Sequence, residues 1–383
     1  MKLFPEVSAP LRLGRLSLKN RVYFAPMGLD MADECGGMSE PLEQFYNDVI
    51  DGGSAMVVLG NSSIDPSTRL HERGLCLHDA THARRLEPLL AYGASRNCPI
   101  VIQLQHYGAQ GSTRLTGLPL LVPSAPKNHS RRAPGEYRTS RIMDVHDIAE
   151  VRRQFVNSAR LAQSAGAEMI QLQASNGYLL SSFLSPYTNR REDAYGGSAL
   201  RRARLLLEVV DDIHAATRGG VDVSVRLGID DCLGSEGQEP HLLGGVVRAL
   251  ERVGVAAIMC SISIRETFHS LIHPTPEMRR RLIEGVRHIR AQTSLPVGFA
   301  GFTASIEQAE SLLAERTADL IGMTRAIFAD NDLVAKSLAG NQSTVEACLF
   351  DGDCFHDKGN PALDRVYCCV NPKYKRPDHI RYA

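Results

Sequence analysis

A chain of 383 residues with 43 basic and 43 acidic side chains carries no net charge, which removes the electrostatic footing for bulk binding to nucleic acid or an anionic membrane surface. Apolar residues at 43% and charged residues at 22% make an ordinary globular composition and exclude a disordered or fibrous chain. The length suits two or three domains of about 150 residues, or one large barrel with an appendage.

The N-terminal MKLFPEV has no basic region leading into an apolar stretch, so it does not read as a signal peptide. The longest apolar run, near 253–260, falls far short of the roughly 20 residues of a membrane span, and a cytoplasmic setting with no membrane partner is expected. LRLGRLSLKN alternates apolar and polar residues around Gly14 and predicts a hairpin capping the bottom of a barrel. Runs rich in β-formers then recur at 21–25, 55–59, 99–105, 167–172, 222–227, 256–261, 296–299 and 319–323, each followed by helical periodicity. In DIAEVRRQFVNSARLAQSAG, Ile148, Val151, Phe155, Ala159, Leu161 and Ala162 form one stripe that stops at a glycine. Eight strand and helix pairs without a GxGxxG turn after the first strand predict a TIM (β/α)8 barrel over 1–335, followed by a cysteine-containing extension over 336–383. The stretch 110–143, with Gly, Ser, Pro and several Arg but little periodicity, reads as a loop or lid over the barrel mouth.

Active sites of such barrels lie at the C-terminal ends of the strands. Those ends read APMG, QLQH, QLQASNGY, VRLG, GFAG and GMTR. Gly298, Gly301, Gly322 and Arg325 cluster after strands seven and eight, where backbone N–H groups and a guanidinium suit a phosphorylated cofactor; the plainer alternative is that the glycines only make turns.

The segment SNGYLLSSFLSPYTNRREDAYGG, with NRVYFAPMG near the start and ADLIGMTRAIFADND near the end, resembles the old yellow enzyme family of FMN-dependent barrel oxidoreductases over about 2–332. It is similar in particular to the branch containing 2,4-dienoyl-CoA reductase and trimethylamine dehydrogenase, where an iron–sulfur motif follows the barrel. The resemblance implies that Ala25, Pro26, Met27 and Gly28 line FMN and that Gln103 hydrogen-bonds its pyrimidine edge. It implies further that Arg226 sits beside N1 and O2, and that Gly301, Thr324 and Arg325 hold the phosphate. The alternative for Arg226 is a strand-end ion pair with Asp230.

The substrate frame departs from the family. Where relatives carry His-x-x-His or His-x-x-Asn, this chain has Gln173 and Asn176, two amides that can donate to a carbonyl or nitro oxygen but cannot carry charge. Tyr178 matches the family's proton donor, a phenol of pKa about 10; its alternative is a packed tyrosine with a satisfied hydroxyl. His106 reads as structural or as a second polar group in the pocket, and Tyr187, Asn189 and Arg190 as shaping the loop after strand four. Substrate specificity is expected in 110–143 and 264–276.

Four of the nine cysteines fall within 348–369, a density that suits metal binding in a reducing compartment. Set against the iron–sulfur branch, Cys348, Cys354 and Cys368 take ligand positions, Asp351 stands where a second cysteine is expected, and Cys369 is spare. A [4Fe–4S] cluster with one oxygen ligand or a [3Fe–4S] cluster is the leading expectation. The alternatives are zinc held by three cysteines with Asp351 or His356, and no metal. The other cysteines, Cys35, Cys76, Cys98, Cys232 and Cys260, read as small buried residues.

The leading function is an FMN-dependent reductase of an activated C=C bond, an enone or enoyl thioester, drawing electrons from NAD(P)H or a partner protein. Within these 383 residues there is no room for the appended flavin and NAD(P)H domain of full-length relatives, so a cluster implies an electron partner in another polypeptide. The alternatives are an amine dehydrogenase or N-demethylase, whose cation cage would use Tyr and Phe because the chain has no Trp, and an electron-transfer subunit without turnover. Homo-oligomerisation is expected from the family's habit.

Overall fold

The chain opens with two short antiparallel strands, β1 (Leu11–Leu13) and β2 (Leu16–Leu18), turned at Gly14. This computed structural model describes residues 3–127, 139–273, 275–358, 360 and 362–380. Arg15 N–H donates to Asp222 Oδ2 at 2.7 Å and the Arg15 guanidinium donates to the carbonyls of Gly219 and Gly220, just before a barrel strand begins. Leu13, Leu16 and Leu18 pack with Tyr23, Val101, Met169 and Leu320, so the hairpin plugs the N-terminal end of the barrel as its alternation predicts.

The barrel strands are β3 (Val22–Tyr23), β4 (Val57–Ser63), β5 (Ile100–Gln105), β8 (Met169–Ala174), β9 (Asp222–Asp230), β10 (Ala257–Ile262), β11 (Val297–Ala300) and β12 (Leu320–Gly322). All neighbours are parallel and follow chain order, and a bridge between Phe24 and Val57 closes β3 onto β4. These strands read as near-continuous apolar runs because both faces are covered. Val58 and Val101 point into the barrel, while Val57, Leu59, Ile100 and Ile102 face the helices, the period of two that a pleated strand imposes. The register sets Gln103 beside Gln171, and Gln173 beside Arg226, at the strands' C-terminal ends.

The helix Val145–Ser164 buries Ile148, Val151, Phe155, Ala159 and Ala162 as expected, but Leu161 is only half-buried and Ser158 joins the buried face. The Ser158 hydroxyl lies 3.2 Å from the Ile64 carbonyl and 2.5 Å from that of Leu77, which satisfies it there. The 110–143 stretch is not wholly loop: β6 (Leu120–Val122) and β7 (Ser140–Ile142) pair parallel within it, although 128–138 lie outside the described residues, as does 274 of the second specificity segment. β7 is exposed along its whole length and so leaves no apolar run in the sequence.

The extension packs on the barrel. Val366 N–H donates to the Leu29 carbonyl at 2.9 Å, and Asn371 Nδ2 donates to the Phe328 carbonyl at 2.7 Å. Tyr374 sets its ring 5.2 Å from that of Phe45 and donates its hydroxyl to Asp48 at 2.8 Å. Cys354, Val366, Cys368 and Tyr374 belong to the same apolar cluster as the helix-facing side of the barrel. Among the described residues no helix is long and apolar enough to cross a membrane.

Candidate active site

The strand ends surround a cavity that opens to solvent. Pro26, Met27 and Gly28 after β3, Gln103 on β5, Gln173, Asn176 and Tyr178 after β8, Arg226 on β9, Gly301 after β11, and Thr324 and Arg325 after β12 all line it. Ala25 does not; it is fully buried beneath, and its carbonyl accepts from Thr324 Oγ1 at 3.1 Å.

Arg226 is the dominant electrostatic feature. Its Nε is buried without a hydrogen-bond partner, and burial pulls its pKa below the ordinary arginine range, with only Tyr23 and Tyr178 as opposing influences. The alternative pairing with Asp230 is absent: that carboxylate binds Arg281, with Nη2 to Oδ1 at 2.9 Å and Nε to Oδ2 closer still. A half-buried guanidinium that faces the cavity with no carboxylate partner suits an anionic ligand. Gln103 gives one N–H to Gln171 Oε1 at 2.8 Å and keeps its own carbonyl and a second N–H, the acceptor and donor that an imide edge requires. Gly301 holds φ at +145°, a conformation for which glycine is suited, on the cavity wall after β11. These features fit FMN.

Arg325 serves two walls. Its guanidinium donates to the Ile272 carbonyl at 2.7 Å and the Leu271 carbonyl at 2.9 Å, and lies 4.6 Å from the centre of the Phe350 ring and 5.7 Å from that of Phe355. Its other side borders the cysteine pocket.

The two amides differ in freedom. Asn176 adopts φ of +59°, a left-handed turn that asparagine tolerates, and Nδ2 donates to Ser261 Oγ at 3.3 Å and to the Ile262 carbonyl at 3.0 Å, which takes both of its amide hydrogens. Gln173 Oε1 lies 2.7 Å from Ser175 Oγ, and its Nε2 is uncommitted among the described residues. The Tyr178 ring stands edge-on to Tyr107 at 5.6 Å, and its hydroxyl has no partner among the described residues, unlike a tyrosine kept only for packing.

His106 lies off this lining and is structural. Thr68 Oγ1 and the Gly108 N–H both sit 3.0 Å from Nδ1, which must therefore keep its lone pair, and burial lowers the pKa to about 4. Asn189 donates to the Phe183 and Tyr195 carbonyls at 2.7 Å each, and Arg190 donates to the Tyr187 carbonyl at 2.6 Å, so these residues hold the loop after β8.

Cys348, Asp351, Cys354, Cys368 and Cys369 line one small pocket. Burial raises the pKa of each thiol, to about 12 for Cys354 and Cys369, so the free groups are protonated and metal binding would release protons. A single zinc with bonds of about 2.3 Å needs thiolates roughly 3.8 Å apart. Among the described residues Asp351, Asp353 and Cys369 bring ligand atoms within 4.8 Å of one another, but the trio Cys348, Cys354 and Cys368 does not. Of the remaining cysteines, Cys76, Cys98 and Cys260 are buried and Cys232 is half-buried, whereas Cys35 is exposed, contrary to expectation.

Several lining residues escape sequence reasoning. Asn61 lies just past the expected end of the second strand, and Ser261 is the last residue of a run read for its apolar members. Phe350, Phe355 and Lys358 arrive from the extension, which strand-end reasoning does not search.

The sequence profile of the NADH:flavin oxidoreductase / NADH oxidase family matches residues 4–343. An NADH oxidase of Thermoanaerobacter brockii is 29% identical over 377 residues, covering 97% of this chain and 56% of that protein. An NADPH dehydrogenase of Bacillus licheniformis is 29% identical over 327 residues, covering 85% of this chain and 91% of that protein. The solved complex of 2-naphthoyl-CoA reductase superposes with a TM-score of 0.88 at 21% identity, covering 97% of this chain and 58% of that one, a likeness of fold. The chain thus spans a little over half the length of the first of these relatives.

Proposed function

Because the chain belongs to the NADH:flavin oxidoreductase / NADH oxidase family, whose class is FMN-dependent oxidoreductase, we propose that it reduces an activated C=C bond, an enone or enoyl thioester, in the cavity at the strand ends. The observation that carries this reading is the free Tyr178 hydroxyl in a cavity that also holds the unpaired Arg226. When bound, FMN supplies hydride transfer to the substrate's β-carbon. Arg226 offsets negative charge at the pyrimidine edge, which favours the reduced cofactor. Gln173 Nε2 donates to the substrate oxygen as charge builds there, and Asn176 braces that wall through β10. Tyr178 delivers the proton to the α-carbon. Pro26, Met27 and Gly28 line the flavin side, and Gly301, Thr324 and Arg325 the phosphate side. NAD(P)H is the small-molecule reductant this scheme accepts.

The cysteine pocket is the seat we assign to an iron–sulfur cluster, with Cys348, Cys354 and Cys368 as thiolate ligands and Asp351 or Cys369 at the fourth corner. A cluster there would exchange single electrons with a partner protein. The amine-oxidising reading is weaker, because a cavity lined by basic side chains repels a protonated amine.

The test is anaerobic. Wild-type holoprotein reduced by dithionite is mixed with enones and enoyl thioesters, and the return of oxidised-flavin absorbance is followed. Tyr178→Phe should slow that return by about 10²- to 10⁴-fold with little change in substrate binding. A flavin that stays reduced with every acceptor but is bleached from the oxidised state by methylated amines would reverse the proposed direction.

A further inference from the structure

Lys358 comes from the extension, outside every motif that the reductase reading uses, yet it lines the main cavity. Its delivery is built into the fold. The preceding residue, Asp357, has a fully buried carboxylate that accepts from Arg376 Nη1 at 2.5 Å, from Arg376 Nη2 at 2.8 Å and from Tyr367 N–H at 2.8 Å. With that residue pinned, the Lys358 side chain reaches the cavity beside Gly28. A Cβ added to Gly28 would stand 3.0 Å from Lys358 Nζ, 3.1 Å from its Cε and 3.1 Å from Asn61 Oδ1, so the absence of a side chain at position 28 makes room for the ammonium.

The charge inventory gives this placement a purpose. The lining contains Arg226, Arg325 and Lys358 and no aspartate or glutamate. Arg325 is held by two carbonyls and two rings, and Arg226 lies on β9. Lys358 has no carboxylate partner among the described residues, and a half-buried ammonium without a counter-ion is stabilised by an anion entering from solvent. Phe268, Phe302, Phe350 and Phe355 supply an apolar wall to the same space. Gln173 and Asn176 are neutral amides, so any formal positive charge that this cavity offers a ligand comes from Arg226, Arg325 or Lys358.

We infer that Lys358 is the anion-recognising group of this cavity, giving it a preference for flat, conjugated substrates that carry a carboxylate or other anionic oxygen. The inference rests on the reductase reading only in treating the cavity as a substrate site beside bound flavin. Phenolate or carboxylate ligands and the flavin's own negative charge share one chemistry, and two measurements separate them.

Full-length holoprotein, oxidised, is titrated at neutral pH and fixed ionic strength with benzoate and with its uncharged isostere benzamide, following the perturbation of the flavin spectrum. Wild type should bind benzoate about tenfold or more tightly than benzamide. Lys358→Met should bring the ratio near one with benzamide binding little changed, and Lys358→Arg should restore most of the preference. A wild-type chain that does not discriminate, or a preference that survives Lys358→Met, overturns the inference. A flavin potential that falls in Lys358→Met while benzoate discrimination is kept would assign the charge to the cofactor and overturn it equally. Failure of enones to reoxidise the reduced protein, with a lysine-dependent benzoate preference intact, would instead strike only the reductase reading.

Discussion

A guanidinium half-buried in a cavity without a carboxylate partner, as Arg226 is, has opposite effects on two states of one protein. In the apoprotein it is a destabilising charge; beside an anionic ligand it becomes a strong attraction. Arg226→Met should therefore raise the thermal midpoint of the flavin-free protein while lowering the reduction potential of the flavin-bound one. The loss of one charge-assisted contact of about 1.5–3 kcal/mol corresponds to roughly 30–60 mV for a two-electron couple. Calorimetry of the apoprotein and equilibration with redox dyes check the two halves, and an unchanged potential would remove Arg226 from the flavin edge. Residue chemistry of this kind was legible where a strand end announced it: Arg226 in VRLG, Gln103 in QLQH and Tyr178 in SNGY all reach the cavity. The commitment of Asn176 to β10 was not legible, because it depends on a left-handed turn meeting a strand 85 residues away in sequence.

Elements were readable in proportion to their burial. Each of the eight barrel strands left an apolar run, even β3 and β12 with two and three paired residues, while β7, exposed throughout, and its partner β6 left nothing. The helix Val145–Ser164 shows how local and tertiary signals agree: its stripe packs in the barrel's outer core, and its first turn is a reciprocal cap. Asp144 Oδ1 accepts from His146 N–H at 2.8 Å and Asp147 N–H at 2.9 Å, and Asp147 Oδ2 accepts in return from Asp144 N–H at 3.0 Å. Asp144→Ala should cost about 1 kcal/mol in urea unfolding, whereas Glu150→Ala on the exposed face of the same helix should cost almost nothing. Equal losses in the two variants would mean that the cap does not limit this helix. Nothing in the sequence marked the extension as a wall of the cavity, since its hold on the barrel through Asn371, Tyr374 and the Asp357–Arg376 pair follows no period.

At the scale of the whole molecule, two buried groups set opposite pH slopes on stability. Burial lowers the pKa of His106 to about 4, against about 6.5 in an unfolded chain. Burial, with Asp230 and Glu266 nearby, raises that of Asp231 to about 6 despite hydrogen bonds from Ser185 and Gln238 N–H, against about 3.9 when unfolded. Between pH 4 and 6 the unfolded chain carries a proton on His106 and none on Asp231, and the native chain the reverse. Both states then bind one proton, and the pair contributes no net slope. Each group alone would contribute about 3 kcal/mol across that window. Stability from His106 is lost as pH falls toward its native pKa, and stability from Asp231 is gained over the same fall. His106→Asn, which keeps an acceptor for Gly108 N–H, should leave the Asp231 contribution exposed, so that relative to wild type stability rises by up to about 3 kcal/mol from pH 6 to pH 4. Asp231→Asn should do the opposite, losing a similar amount over the same interval. Carboxylates with lowered native pKa, such as Asp33, Asp147 and Asp193, weaken every variant alike in acid and drop out of the differences. Urea midpoints at half-unit steps from pH 4.5 to 6 should diverge in opposite directions for the two variants; curves that stay parallel to wild type would mean that neither group titrates as its burial dictates.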